Sequence, residues 1–110
     1  MSKYGNRKVI LDGISFDSKK EACRWQELRL AQRAGVISEL RRQVSFELIP
    51  AIRENGKTVQ RAAHYIADFV YVQDGQTVVE DVKSDATKTP LYQLKKKLVR
   101  WQYGIDIQEV

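Results

Sequence analysis

Residues 65–83 read YIADFVYVQDGQTVVEDVK, and this stretch decides the fold. Two runs rich in β-branched and aromatic residues flank Asp74-Gly75, a dipeptide that supplies the positive φ angles of a tight hairpin turn. Side chains alternate faces along a strand. Alternation puts Asp68 with Ile66, Val70 and Val72 on the first strand, and Asp81 and Lys83 with Thr77 and Val79 on the second. Two carboxylates and an ammonium therefore sit among apolar neighbours in strands that ought to be largely buried. Unpaired buried charge is costly, so these groups need mutual partners, a metal ion or a mouth open to water.

Working outward, Lys8 to Phe16 (KVILDGISF) carries a second hairpin signal around Asp12-Gly13. The segment FDSKKEACRWQELRLAQRAGVI then predicts a helix over Ser18 to about Ala34. Ser18 and Glu21 have capping-box spacing, Ala22, Trp25 and Leu28 recur at helical intervals, and Gly35 is a natural stop. Leu40 to Ile49 alternates with Leu40, Arg42, Val44, Phe46 and Leu48 on one side, which predicts a strand closed by Pro50. Glu54-Asn55-Gly56-Lys57 is a turn signal leading to a short strand near Thr58 to Arg61.

Beyond Lys83, SDATKT reads as a loop, and Thr89-Pro90 as an N-cap with proline at the first helical position. Leu91, Leu94, Leu98 and Trp101 repeat at helical spacing and predict the buried face of a second helix, which Gly104 ends. Ile105, Ile107 and Val110 suggest a last strand. No repeat, linker or low-complexity tract interrupts the chain, so a single domain over residues 1–110 is expected, an α/β fold with a mixed sheet in the order ββ-α-βββ(β)-α-β.

The 110 residues suffice for one modest core. No apolar run approaches the about 18 residues of a membrane span, and no signal-peptide pattern is present. Cys23 is the single cysteine and His64 the single histidine, which excludes an intrachain disulfide and a Cys/His zinc centre and fits a reducing compartment. A formal net charge of +5 tilts the expected partners toward polyanions.

Chemistry concentrates in Glu21, Asp68, Asp81 and Lys83. Carboxylates from neighbouring strands can hold a hard cation such as Mg²⁺, with the backbone carbonyl of Val82 completing the shell. A metal so held polarises a phosphodiester and lowers the pKa of a bound water. Lys83 could orient that water or stabilise developing charge, and Glu21 could reach the site directly or through water.

A helical Glu, a strand Asp and then Asp-x-Lys on the next strand resemble the PD-(D/E)XK nuclease superfamily. FDSKKEA, YIADFVY, VVEDVKS and TKTPLYQLKKKL are more closely similar to a family of small phage and prophage proteins related to Holliday-junction resolvases. The resemblance spans nearly the whole chain and implies a restriction-endonuclease-like αβββαβ core behind an N-terminal β-hairpin. It implies a Mg²⁺-dependent endodeoxyribonuclease, with Mn²⁺ able to substitute, acting as a homodimer on branched DNA in the cytoplasm of a bacterial host. By position, Asp68 and Asp81 match the metal-binding acids, Lys83 the motif lysine and Glu21 the helical glutamate. Ala67 stands where the motif has proline. Glu80 is a rival acid to Asp81, but alternation places it on the face opposite Lys83. Gln93, one turn into the last helix, matches a polar position used by some members.

Each residue also has a plainer role. Glu21 could serve only the capping box, and Asp68 and Asp81 could belong to a structural ion-pair network with Lys83. Lys95, Lys96 and Lys97 could be a solvated helix face or, with Lys88 and Arg100, a phosphate-contacting surface. His64 and Asp74 read as structural, and Trp25 and Trp101 as core or interface. The alternative function is a non-catalytic basic DNA-binding accessory that keeps the fold. An RNA-binding role rests only on Tyr65, Phe69 and Tyr71 and ranks last.

Overall fold

Three Gly-containing turns punctuate the chain and set up its hairpins. In the computed structural model residues 8–110 are described; residues 1–7 of the expected domain lie outside them. Strands β1 (Val9–Leu11) and β2 (Ile14–Phe16) close around Asp12-Gly13. After helix α1 (Lys19–Arg33) come β3 (Ser38–Ile49), then β4 (Ile52–Glu54) and β5 (Lys57–Gln60) around Asn55-Gly56, and β6 (Ala63–Gln73) and β7 (Gln76–Asp81) around Asp74-Gly75. Both residues of each turn have positive φ, 51–52° at Asp or Asn and 76–77° at Gly. That is the type I′ geometry whose twist matches the flanking strands. A single 3₁₀ turn (Asp85–Thr87), helix α2 (Pro90–Tyr103) and β8 (Gln108–Glu109) complete the chain.

The main sheet runs β3-β6-β7-β8, antiparallel except for β8, which lies parallel to β7. The fold is thus mixed α/β with a mixed sheet. Ile107 is buried rather than paired, and the β8 ladder extends through Val110, whose N–H donates to the Asp81 carbonyl at 3.0 Å and whose carbonyl accepts from Lys83 N–H at 3.1 Å. β4, which the sequence reading passes over as turn, pairs with β5 in a separate ribbon whose residues are all exposed. Pro50 ends β3 and the chain returns only after Asn55-Gly56, so the ribbon stands apart from the sheet.

Helices start and stop where their caps dictate. Ser18 Oγ accepts the Glu21 N–H at 3.1 Å, and Gly35 (φ 79°) follows the last turn of α1. Thr89 Oγ1 accepts the Tyr92 N–H at 3.1 Å with Pro90 at the first position, and Gly104 (φ 70°) donates its N–H to Arg100 O at 2.9 Å.

One core joins α1 to the sheet through Leu28, Trp25, Ile37, Phe69, Tyr71 and Val78. Trp25 stacks on Phe69 with ring centroids 6.0 Å apart and meets Phe16 of β2 at 6.4 Å. The other core joins α2 to the opposite face through Tyr92, Val99, Tyr65, Ala67, Val70, Val79 and Ile107. Adjacent residues Val78 and Val79 serve different cores, so the helices cover opposite faces.

Two expectations of side-chain direction need correction. The buried residues of α2 are Tyr92 and Val99, with half-buried Lys95, Lys96 and Leu98 beside them, not Leu91, Leu94 and Trp101, which are 61%, 54% and 81% exposed. Lysine stems cover apolar surface while their ammonium groups reach outward, so two lysines stand where hydropathy alone would place leucines. The strict alternation of β6 also fails. Tyr65, Ala67 and Val70 share the α2 core whereas Phe69 and Tyr71 face α1, so the phase slips by one residue at Asp68. Asp68 therefore does not share a simple strand face with Val70 as alternation predicts. No helix among the described residues is long and apolar enough to cross a membrane.

Candidate functional site

Where the first turns of both helices meet the ends of β6 and β7, a cleft of about 530 Å³ opens. Glu21 enters it from α1, Tyr65 and Asp68 from β6, Asp81, Val82 and Lys83 from the end of β7, and Leu91 and Tyr92 from α2. The four residues singled out in the sequence, up to 62 positions apart, thus line one cavity.

Asp81 is buried and its Oδ2 accepts the Tyr65 hydroxyl at 2.8 Å, with Lys83 Nζ at 3.3 Å. The Lys83 ammonium also lies 4.1 Å from the centroid of the Tyr92 ring, a cation–π position that holds it beside the carboxylate. Asp68 Oδ2 accepts the Val82 N–H at 2.8 Å. Gln43 Nε2 donates to Asp68 Oδ1 and to Glu21 Oε1, both at 3.4 Å. Arg42 approaches Glu21 Oε1 at 3.8 Å while its guanidinium lies over Phe16, 4.6 Å from the ring centroid. Glu21 therefore turns its carboxylate into the cleft, while its backbone N–H donates to the Ser18 cap.

Crowding of acids sets the electrostatics. Burial, and then the hydrogen bond and charge of Asp81, push the Asp68 carboxyl up from 3.8 to about 8. Burial and the neighbouring Asp17 carboxylate raise Glu21 as well. Burial beside Asp81 raises the Tyr65 phenol well above its ordinary range, so it stays a donor. Cations are few inside the cleft: of the lining residues only Lys83 and Lys95 carry fixed positive charge, against Asp17, Glu21, Asp68 and Asp81.

Glu80, the rival acid, faces the α1 layer. Arg24 grips it with Nε to Oε1 at 2.8 Å and Nη2 to Oε2 at 2.6 Å, and the Tyr71 hydroxyl donates to Oε2. The alternation argument for Asp81 agrees with this placement. Lys88 and Lys96 are held by Glu109 at 3.5 and 3.3 Å, and Arg100 by Asp106 at 3.3 Å, beside β8 rather than in the cleft. Lys95 does line the cleft, and Gln93 is exposed and does not. The sequence reading missed Gln43, Tyr65 and Tyr92 as cleft residues and set aside His64, which also lines it. Tyr65 carried one usable signal: it is a polar-tipped aromatic on the strand that bears Asp68.

The donor set suits a hard divalent cation. All candidate ligands are oxygens, Asp68 is driven toward protonation first by burial and then by the carboxylates around it, and Cys23 is exposed and lines no part of this cleft. In the present arrangement the acids are engaged with Tyr65, Lys83, Val82 and Gln43. Among the described residues no three His, Cys, Asp or Glu side chains stand grouped closely enough to hold an ion.

No curated protein and no solved structure matches the chain. A family model does match, over residues 1–108, nearly the full length of the chain. The chain belongs to the family described as "Protein of unknown function (DUF1064)".

Proposed function

We propose that the protein is a metal-dependent DNA endonuclease of the PD-(D/E)XK type, with a restriction-endonuclease-like core, cutting phosphodiester bonds in branched DNA such as Holliday junctions as a homodimer. The observation that carries this reading is the meeting of Glu21, Asp68, Asp81 and Lys83 in one cleft from three different elements. Acids brought together against their own repulsion, in a chain of net charge +5, fit a site that receives a cation and a phosphate.

In this reading Asp68 and Asp81 would hold Mg²⁺ or Mn²⁺, the Val82 carbonyl would supply a further oxygen, and Glu21 would join directly or through water. When bound, the metal polarises the phosphodiester and lowers the pKa of the attacking water. Tyr65 fixes the Asp81 rotamer through its 2.8 Å hydrogen bond. Lys83, between Asp81 and the Tyr92 ring, orients the water and offsets charge on the phosphate. Both helices present their first turns to the cleft, where the positive ends of their dipoles favour an anion. Lys95 stands at the same cleft for phosphate contact.

The second reading, a non-catalytic DNA-binding accessory, draws on one observation: Asp81 is already satisfied by Tyr65 and Lys83. Cleavage of a labelled four-way junction, linear duplex and single strand separates the two. The assay uses Mg²⁺, Mn²⁺ or EDTA, with wild type and Asp81→Asn. Metal-dependent, symmetric nicking of the junction that Asp81→Asn loses supports the resolvase. Cutting of all three substrates keeps the nuclease and removes junction preference. Tight binding with no cutting under either metal selects the accessory.

A further inference from the structure

Strands β3 and β6 pair residue for residue on both sides of one position. Arg42 faces Phe69 and Val44 faces Ala67, yet Gln43 and Asp68 between them make no regular pair. Gln43 has φ 52°, a left-handed conformation that a residue with a full side chain rarely adopts in mid-strand. Both strands change phase there. Leu40 of β3 packs in the α1 layer and the Arg42 guanidinium lies over Phe16 and Trp25, whereas Val44 and Phe46 pack in the α2 layer. Tyr65 and Ala67 of β6 serve the α2 layer, whereas Phe69 and Tyr71 serve the α1 layer. The sheet is thus broken across two strands at one level, and Asp68 leaves the ladder at that level.

The break delivers two side chains into the cleft together. Asp68 turns Oδ2 to the Val82 N–H, and Gln43 Nε2 stands 3.4 Å from both Asp68 Oδ1 and Glu21 Oε1. A primary amide carries two N–H donors, one for each acid. The reverse orientation would set its carbonyl against two carboxylates, so the direction of the amide is fixed by its neighbours. Glu21 belongs to a helix and Asp68 to a strand, and Gln43 hydrogen-bonds to both. A plain bulge would need no such side chain, and a glycine there would make the same turn without strain.

We propose that Gln43 is a positioning residue of the site: the paired break in β3 and β6 places its amide between Glu21 and Asp68, holding both carboxylates toward an incoming divalent cation. The inference rests on the metal-site reading of the cleft. It adds a residue that carries no charge and matches no motif position.

The test uses the full chain as wild type, Gln43→Gly, Gln43→Ala and Gln43→Asn, with two readouts. Mn²⁺ binding is followed by electron paramagnetic resonance, independently of DNA, and junction cleavage is titrated with Mn²⁺. Gln43→Gly removes the amide and relieves the backbone, so it should melt no lower than wild type without metal. Its Mn²⁺ affinity should nevertheless fall about 10- to 100-fold, the range for residues that orient metal ligands, with a smaller loss of rate at saturating metal. Gln43→Ala should show the same loss and Gln43→Asn a partial recovery. Wild-type Mn²⁺ affinity retained in Gln43→Gly overturns the proposal while leaving the nuclease reading intact. Mn²⁺ binding by wild type without cleavage of any DNA overturns the nuclease reading alone, and the affinity series still decides the role of Gln43. A wild type that binds no Mn²⁺ overturns both.

Discussion

Glu80 and Asp81 are neighbours on β7, 2% and 4% exposed, and they illustrate two ways to bury a carboxylate. On the α1 face, Glu80 is matched: a forked guanidinium takes both its oxygens and a phenol completes the set. On the other side, Asp81 has the Lys83 ammonium in a cleft that holds three further acids and one other lysine, Lys95. A closed pair of opposite charges needs nothing more from solution. An excess of acid facing a cavity does, and the excess here is the physical argument for a cation. Burial of a charged group therefore says little about function until the partner count is known.

The largest effect should come from breaking the matched side. Arg24→Ala leaves Glu80 buried without its counter-charge and should destabilise the fold by about 3–5 kcal/mol, read from urea denaturation. Replacing the pair together, Arg24→Met with Glu80→Leu, should recover most of that loss, because the pair is structural and an apolar substitute of similar shape fills the same space.

The unmatched side should behave oppositely. The Asp68 carboxyl holds its proton more tightly folded than unfolded, so the metal-free protein should lose stability as pH rises from about 4 to about 8. Asp68→Asn should flatten that part of the profile and melt above wild type at pH 9. Mg²⁺ at a hundred times its dissociation constant should add about 2.7 kcal/mol to wild type at pH 9, and little to Asp68→Asn. Equal melting curves for the two proteins at pH 9 without metal would remove the electrostatic case for the site.

Smaller effects sharpen the contrast. Tyr65→Phe removes the 2.8 Å donor from Asp81 and should cost about 1–2 kcal/mol. It should also loosen metal dependence, whereas Tyr71→Phe on the Glu80 side should affect stability alone. Smallest of all, Gly56→Ala strains a turn at φ 76° in the exposed β4–β5 ribbon. Hydrogen exchange in that ribbon should speed up while the global denaturation midpoint stays put.

Much of this was readable in the chain because it is local. Asp12-Gly13, Asn55-Gly56 and Asp74-Gly75 each make the turn their dipeptide implies, and Ser18, Thr89, Pro90 and Gly104 bound their helices as capping rules require. Convergence of Glu21, Asp68, Asp81 and Lys83 followed from strand order and the resemblance taken together. What failed depends on tertiary partners. Leu91, Leu94 and Trp101 form the better apolar stripe on paper, but the sheet receives Tyr92 and Val99, with lysine stems between them. Gln43 looked like one more solvent-facing residue of β3, since nothing local announces a positive φ at glutamine. Arg24 and Glu80 are 56 residues apart, and no spacing rule joins them.

The exposed β4–β5 ribbon also has a hydrodynamic consequence. The described residues measure 50 × 41 × 26 Å with a radius of gyration of 16.1 Å, against about 13 Å for a compact chain of this length. A monomer of 12.7 kDa will elute ahead of globular standards of equal mass. An early peak on a sizing column would therefore mimic the homodimer proposed above. Subunit number has to be read from scattering or sedimentation mass, with trimming of the ribbon as the control that moves elution without moving stoichiometry.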